Sequence, residues 1–267
     1  MAEGILSEQE TKGGSLMAKM GIELFMIREA MDEDFIGTLK ILKSLGYEGV
    51  ELWSVLYKHD PAFVANAMAE TGMEIASWHT DMEDLVLNLD KTIEHNKKAG
   101  CKTIILNFLP PIASYSLDAI KAAGKLFDSI VARMDAEGMR FGFHNHGPDY
   151  FKKMDGISAW DYFNEYCDER FIMQLDVCTA AMAGEDIPAL IQRSSKRIKS
   201  THMKPYTAGI GRDGMDPMIG EDSLDYAKIL TACNNVEWHL VEYESRTRYT
   251  PMYAAQLCLE RLKERGF

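Results

Sequence analysis

The chain has 267 residues, 46% of them hydrophobic, and a formal net charge of −12. That length and apolar content suffice for one substantial core, and α/β barrels commonly use such a length as a single domain. The acidic balance argues against a chain-wide polyanion-binding surface; the nearest basic run, RSSKRIK at 193–199, reads as a solvated helix end.

Residues 1–19 open with a polar, aperiodic run and are expected to form a flexible N-terminal extension before one domain over 20–267. GIELFMI (21–27) reads as a buried strand, followed by a helix with Phe35, Leu39 and Leu42 on one face and Gly46 closing it. GVELW (49–53) is the second strand, and Asp60–Pro61 is a cap-and-N1 pair opening a helix that ends at Gly72. MEIASWH (73–79) is the third strand; Leu85, Leu89 and Ile93 mark one helix up to Gly100, and KTIILNF (102–108) is the fourth. A helix from Leu117 to Glu137 leads to RFGFHNH (140–146), and a helix over Ala159–Tyr166 leads to FIMQLDV (171–177). A helix from Pro188 precedes IKSTHMK (198–204), one from Leu224 to Ala232 precedes VEWHLVEYE (236–244), and the last runs from Pro251 to Lys263.

Eight strands alternating with eight helices imply a parallel sheet, because parallel crossovers need a helix, and eight units predict a single (β/α)8 TIM barrel. An open doubly wound sheet is the structural alternative. The five cysteines are scattered and lack a CxxC pair, which predicts reduced, buried thiols and a cytoplasmic protein. No apolar run reaches spanning length, so no membrane partner is expected, whereas a homo-oligomer is compatible with the chain.

Barrel active sites sit at the C-terminal ends of the strands, and strand side chains alternate with period two. By that parity His144 and His146 share a face, as do Gln174 and Asp176, His202 and Lys204, Glu242 and Glu244, Glu51 and Trp53, and Ser77 and His79. If those faces point inward, polar groups converge from six strands, which is costly without a partner; a divalent cation would compensate the carboxylates. Singly each has a plainer reading: Asp176 suits a helix N-cap, and His79 a carbonyl partner. His239 has the opposite parity and belongs between barrel and helices, while His59 and His95 read as surface residues. GIGRDG (209–214) fits G-x-G-x-x-G but stands in a long loop rather than between strand and helix, so no nucleotide cofactor is expected. It reads instead as a mobile loop whose Arg212 reaches a hydroxylated or anionic substrate.

GYEGVELW (46–53), HNH (144–146), QLDV (174–177), THMKPY (201–206), IGEDSLDY (219–226) and VEYE (241–244) occur in the order seen in one family. The chain resembles the xylose isomerase-like TIM-barrel superfamily, often described as sugar phosphate isomerases/epimerases. The resemblance implies one divalent metal ion, Mn2+ first, with Zn2+, Mg2+ or Co2+ as alternatives. It implies Asp176, His202 and Glu242 as ligands and His144 as the fourth, where sugar epimerases carry glutamate. The HNH form is similar to a branch of inosose dehydratase-like proteins and lyases of 3-keto-glycosides, which often has glutamate where this chain has Asp149. The implied activity is isomerisation or epimerisation of a sugar or cyclitol by proton abstraction next to a carbonyl. The alternatives are a lyase or dehydratase, an AP-endonuclease-like nuclease, and a non-catalytic partner subunit. On that reading His146 is the base, exchangeable with His144. Glu51 and Lys204 orient hydroxyls or move protons, Trp53 and His79 line the substrate pocket, and Glu244 supports the ligands. The expected partner is a small carbohydrate and not a nucleic acid.

Overall fold

The structure is a computed structural model, and it describes residues 18–110, 115–210 and 216–267. Eight parallel strands close into a barrel: β1 Lys19–Glu23, β2 Gly49–Leu52, β3 Glu74–Thr80, β4 Thr103–Leu106, β5 Arg140–His144, β6 Ile172–Asp176, β7 Ser200–Met203 and β8 Trp238–Val241. β1 pairs with both β2 and β8, which completes the ring. This is the (β/α)8 architecture expected from the alternation of elements. Residues 1–17 of the expected extension lie outside the described residues.

Side chains that point outward from the strands meet the helices. Phe127, on helix Leu117–Asp135, is fully buried against Phe141 and Phe143 of β5, with Phe163 and Phe171 beside it. His239 also points outward; Thr201 Oγ1 lies 2.7 Å from its Nδ1 and the Phe267 ring packs beside it. Inside, the base of the barrel is filled by Trp238. A Cβ on Gly49 would come within 2.5 Å of the Trp238 ring, and one on Gly21 within 2.7 Å of Leu240. Glycine at those two positions is what lets the indole lie across the barrel. The β2–β3 register shifts between Val50 and Glu51, so Ala76 is an extra residue. Ala76 joins Trp238 and Leu240 in a small apolar cluster, while Ser77 reaches Glu51 above it.

Several elements differ from the sequence reading. The strand expected over 21–27 stops at Glu23, and Leu24–Ile27 winds into a 3-10 turn. The single helix expected through Leu85, Leu89 and Ile93 is two helices, Met82–Leu87 and Leu89–Ala99, broken at Asn88. A short helix, Val177–Met182, follows β6 directly. His59 and His95 are half-buried rather than surface groups: His59 packs on Phe35 and Phe63, and His95 on Tyr57 and Trp78. All five cysteines are free and buried. Among the described residues no helix is long and apolar enough to cross a membrane.

Candidate active site

At the C-terminal end of the barrel a cavity of about 210 Å3 opens between the strand tips. Its wall includes Glu23, Phe25, Trp53, His79, Asn107, His144, His146, His202, Glu242 and Glu244. Two other hollows, about 250 and 440 Å3, lie at the opposite end, beside Arg170 and Lys199 and beside Met73 and Trp238. The C-terminal cavity gathers imidazoles and carboxylates at the end of the barrel where active sites sit.

The centre of the site is a chain of buried polar groups. Glu51 Oε2 lies 2.5 Å from His202 Nε2 and 3.2 Å from His79 Nε2, while Glu51 Oε1 accepts from Ser77 and Gln174. His202 Nδ1 lies 2.7 Å from Glu242 Oε2. With a carboxylate at each ring nitrogen, His202 is held well above its ordinary range: burial opposes the charge, but Glu51 and Glu242 outweigh it. Burial likewise opposes the Glu51 carboxylate, yet His79 and His202 keep it well below its ordinary range.

Gln174 organises the other imidazoles. Its Oε1 lies 2.9 Å from His144 Nδ1 and 2.9 Å from His79 Nε2, and its Nε2 donates to Glu51 and Ser200. An amide oxygen only accepts, so each imidazole donates there, and the neutral His144 keeps a lone pair on its other nitrogen. The free His144 Nε2 faces Asp176 Oδ2 at 4.0 Å. Burial, followed by the neighbouring His202, pushes His144 well below its ordinary range, so it is neutral.

Asp176 has two tasks. Its Oδ1 accepts from Thr179 N at 3.0 Å and caps helix Val177–Met182, while its Oδ2 faces Lys204 Nζ at 3.7 Å. Asn145 points the other way from its flanking histidines, accepts from Asp176 N and donates to Thr179, which fixes the strand end. Lys204 Nζ lies 2.8 Å from Glu244 and 3.3 Å from Glu242. His146 is exposed on the rim, with Nδ1 3.0 Å from Asn107 O. A carbonyl can only accept, so Nδ1 carries the proton and Nε2 of the neutral ring is free.

The strand tips therefore bring His79, His144, His146, His202, Glu242, Glu244 and Trp53 to the cavity wall. Glu51, Asp176 and Lys204 stand behind that wall, almost wholly buried. Arg212 lies outside the described residues, as does the side chain of Asp149. Glu23 and Asn107 also line the cavity without having been expected there, whereas Gln174 shares the inward parity of Asp176. Glu23 is 3% exposed, and neither carboxylate oxygen has a hydrogen-bond partner among the described residues. Burial, then repulsion from Glu242, raises its pKa to about 8. Its signal was present, since Glu23 shares the parity of Gly21, but the strand was read four residues too long.

The donor types fit a divalent cation. His79, His144 and His202 present ring nitrogens within 4.8 Å of one another. Glu23, Glu51, Asp176 and Glu242 are buried around them, with Lys204 the one buried lysine among the described residues. Mixed imidazole and carboxylate donors are the ligand types such an ion takes.

Residues 39–264 match the family model described as xylose isomerase-like TIM barrel. The fold is similar to a sugar phosphate isomerase/epimerase from Parabacteroides distasonis, at TM-score 0.74 and 18% identity over 96% of this chain and 97% of that one. It is also similar to the IolI protein with a bound zinc atom, at TM-score 0.71 and 14% identity over 92% and 97%. An L-ribulose 3-epimerase gives TM-score 0.71 and 14% identity over 93% and 96%. At these identities the likeness is one of fold. No curated protein matches the sequence.

Proposed function

The chain belongs to the xylose isomerase-like TIM-barrel family, and from that membership we propose a metal-dependent isomerase or epimerase of a sugar or cyclitol, acting by proton abstraction next to a carbonyl. The observation that carries this reading is one small cavity that holds both a free imidazole nitrogen, His146 Nε2, and a surplus of buried carboxylates.

His146 is the base. Its rim position gives it solvent for proton exchange, and the bond to Asn107 fixes the tautomer that leaves Nε2 unprotonated. His144, Asp176, His202 and Glu242 would hold one divalent cation, and His79 brings a further nitrogen within reach. Mn2+, Zn2+ and Co2+ all suit this donor set, and the zinc in the IolI structure supports the second of these. When bound, the ion supplies Lewis-acid polarisation of the substrate oxygens. Glu51 acts from behind the wall by orienting His202 and His79, and Lys204 by orienting Glu242 and Glu244. Trp53 supplies an apolar wall.

A lyase is the second reading: His146, once it has taken up the proton, stands on the open rim where it can pass that proton to a leaving group. The net charge of −12 weighs against a nuclease.

Solvent deuterium exchange on a panel of ketoses, inososes and 3-keto-glycosides tests the reaction. His146→Gln is expected to slow exchange roughly 100-fold or more. Metal analysis should give about one divalent ion per chain, lost on Asp176→Ala or His202→Ala with circular dichroism unchanged. Full metal in both variants would overturn the ligand assignment, and exchange on no carbonyl would overturn the reaction.

A further inference from the structure

Among the described residues Glu23 is the one buried carboxylate of the mouth without a hydrogen-bond partner. It ends β1 and lines the cavity at 3% exposure, and both oxygens are unpartnered among the described residues. The other buried carboxylates nearby each hold at least one protein group: Glu51 binds Ser77, Gln174 and His202, Asp176 caps a helix, and Glu242 binds His202. A buried polar group without a partner destabilises the fold, so it calls for an external one.

The surroundings say what kind. Phe25 and Trp53 form an edge-to-face pair with centroids 6.5 Å apart, and both line the same cavity as Glu23. Phe25 is 40% exposed although it lies only two residues beyond Glu23. An apolar wall beside a hydrogen-bonding group matches a ring with C–H faces and hydroxyl edges. His79, His144 and His202 are turned to Gln174, Glu51 and Glu242, which leaves the unpartnered Glu23 carboxyl to meet such an edge.

We propose that Glu23 is a specificity-determining residue that hydrogen-bonds a hydroxyl group of a polyhydroxylated substrate, held against the Phe25–Trp53 wall. This deepens the carbohydrate reading above and rests on it. It assigns Glu23 to substrate rather than to the metal or to the fold.

Glu23→Leu and Glu23→Gln in the Mn2+-loaded protein test this, with sorbitol and myo-inositol as unreactive probes in calorimetry. Leaving a buried hydroxyl without its hydrogen-bond partner costs roughly 10- to 100-fold in affinity, so Glu23→Leu should weaken probe binding by that factor while Glu23→Gln keeps most of it. The metal content of both variants should equal that of the unaltered protein. In metal-free protein Glu23→Leu should melt at or above the unaltered protein, because it removes an unpartnered buried group. Equal probe affinity in Glu23→Leu, a lower melting temperature or lost metal would each overturn the assignment, as would failure of the unaltered protein to bind either probe. Probe binding without deuterium exchange on any carbonyl would leave Glu23 assigned and overturn only the reaction.

Discussion

His239 stands on the outer face of β8, within 2.7 Å of Thr201 Oγ1, and burial alone lowers its pKa to about 4. A base lowered in the folded state is neutral there, while the unfolded chain takes up a proton below about 6.5. Stability from this group is therefore complete above pH 6.5 and lost as pH falls toward 4, by up to ~3 kcal/mol. Urea unfolding of the unaltered protein and His239→Gln at pH 7 and pH 4 checks this. The difference should shift toward the variant by about that amount, and a constant difference would refute it. Parity alone separated His239 from Glu242 in the sequence, because two residues an odd number apart on one strand cannot face the same way. It equally placed His144, His202 and Glu242 on the inward side. It missed Glu23 because GIELFMI is apolar enough to look like one strand, and nothing local marks where the chain leaves the sheet. Asn107 was hidden for a different reason: its function is to hold His146, a contact made 39 residues away.

Helix Leu117–Asp135 packs its apolar face against β5. Phe127 touches the rings of Phe141, Phe143, Phe163 and Phe171, and no part of it is exposed. Truncation there leaves a hole that four rigid rings cannot close. Phe127→Ala should cost about 3–5 kcal/mol in chemical denaturation, with β5 and its two histidines losing their support. A loss under about 1 kcal/mol would mean the cluster repacks freely. Helices bounded by explicit chemistry were legible. Asp60 caps Pro61–Thr71 through Ala62 N, and Gly46 closes Phe35–Leu45 at φ 106°. The break at Asn88 was not, since Leu85, Leu89 and Ile93 keep helical spacing across it. Val177–Met182 was also hidden, because Asp176 is at once the last residue of a strand and the cap of a helix.

For the molecule as a whole, alternation of eight strands and eight helices specified the barrel before any side chain was placed. What alternation cannot specify is how the barrel is stoppered. That depends on Trp238 lying against Gly49 and on Leu240 against Gly21, pairings of residues about 190 and 219 positions apart that no periodicity reveals. The stopper has a kinetic consequence. With the indole, Ala76 and Leu240 packed across the floor, traffic through the site uses a single doorway at the strand tips. Whatever enters must leave by the same route, and a departing product stands where the next substrate must arrive. Product inhibition should accordingly be competitive, raising KM and leaving kcat unchanged in initial-rate measurements. A noncompetitive pattern would mean that product also binds where it does not exclude substrate.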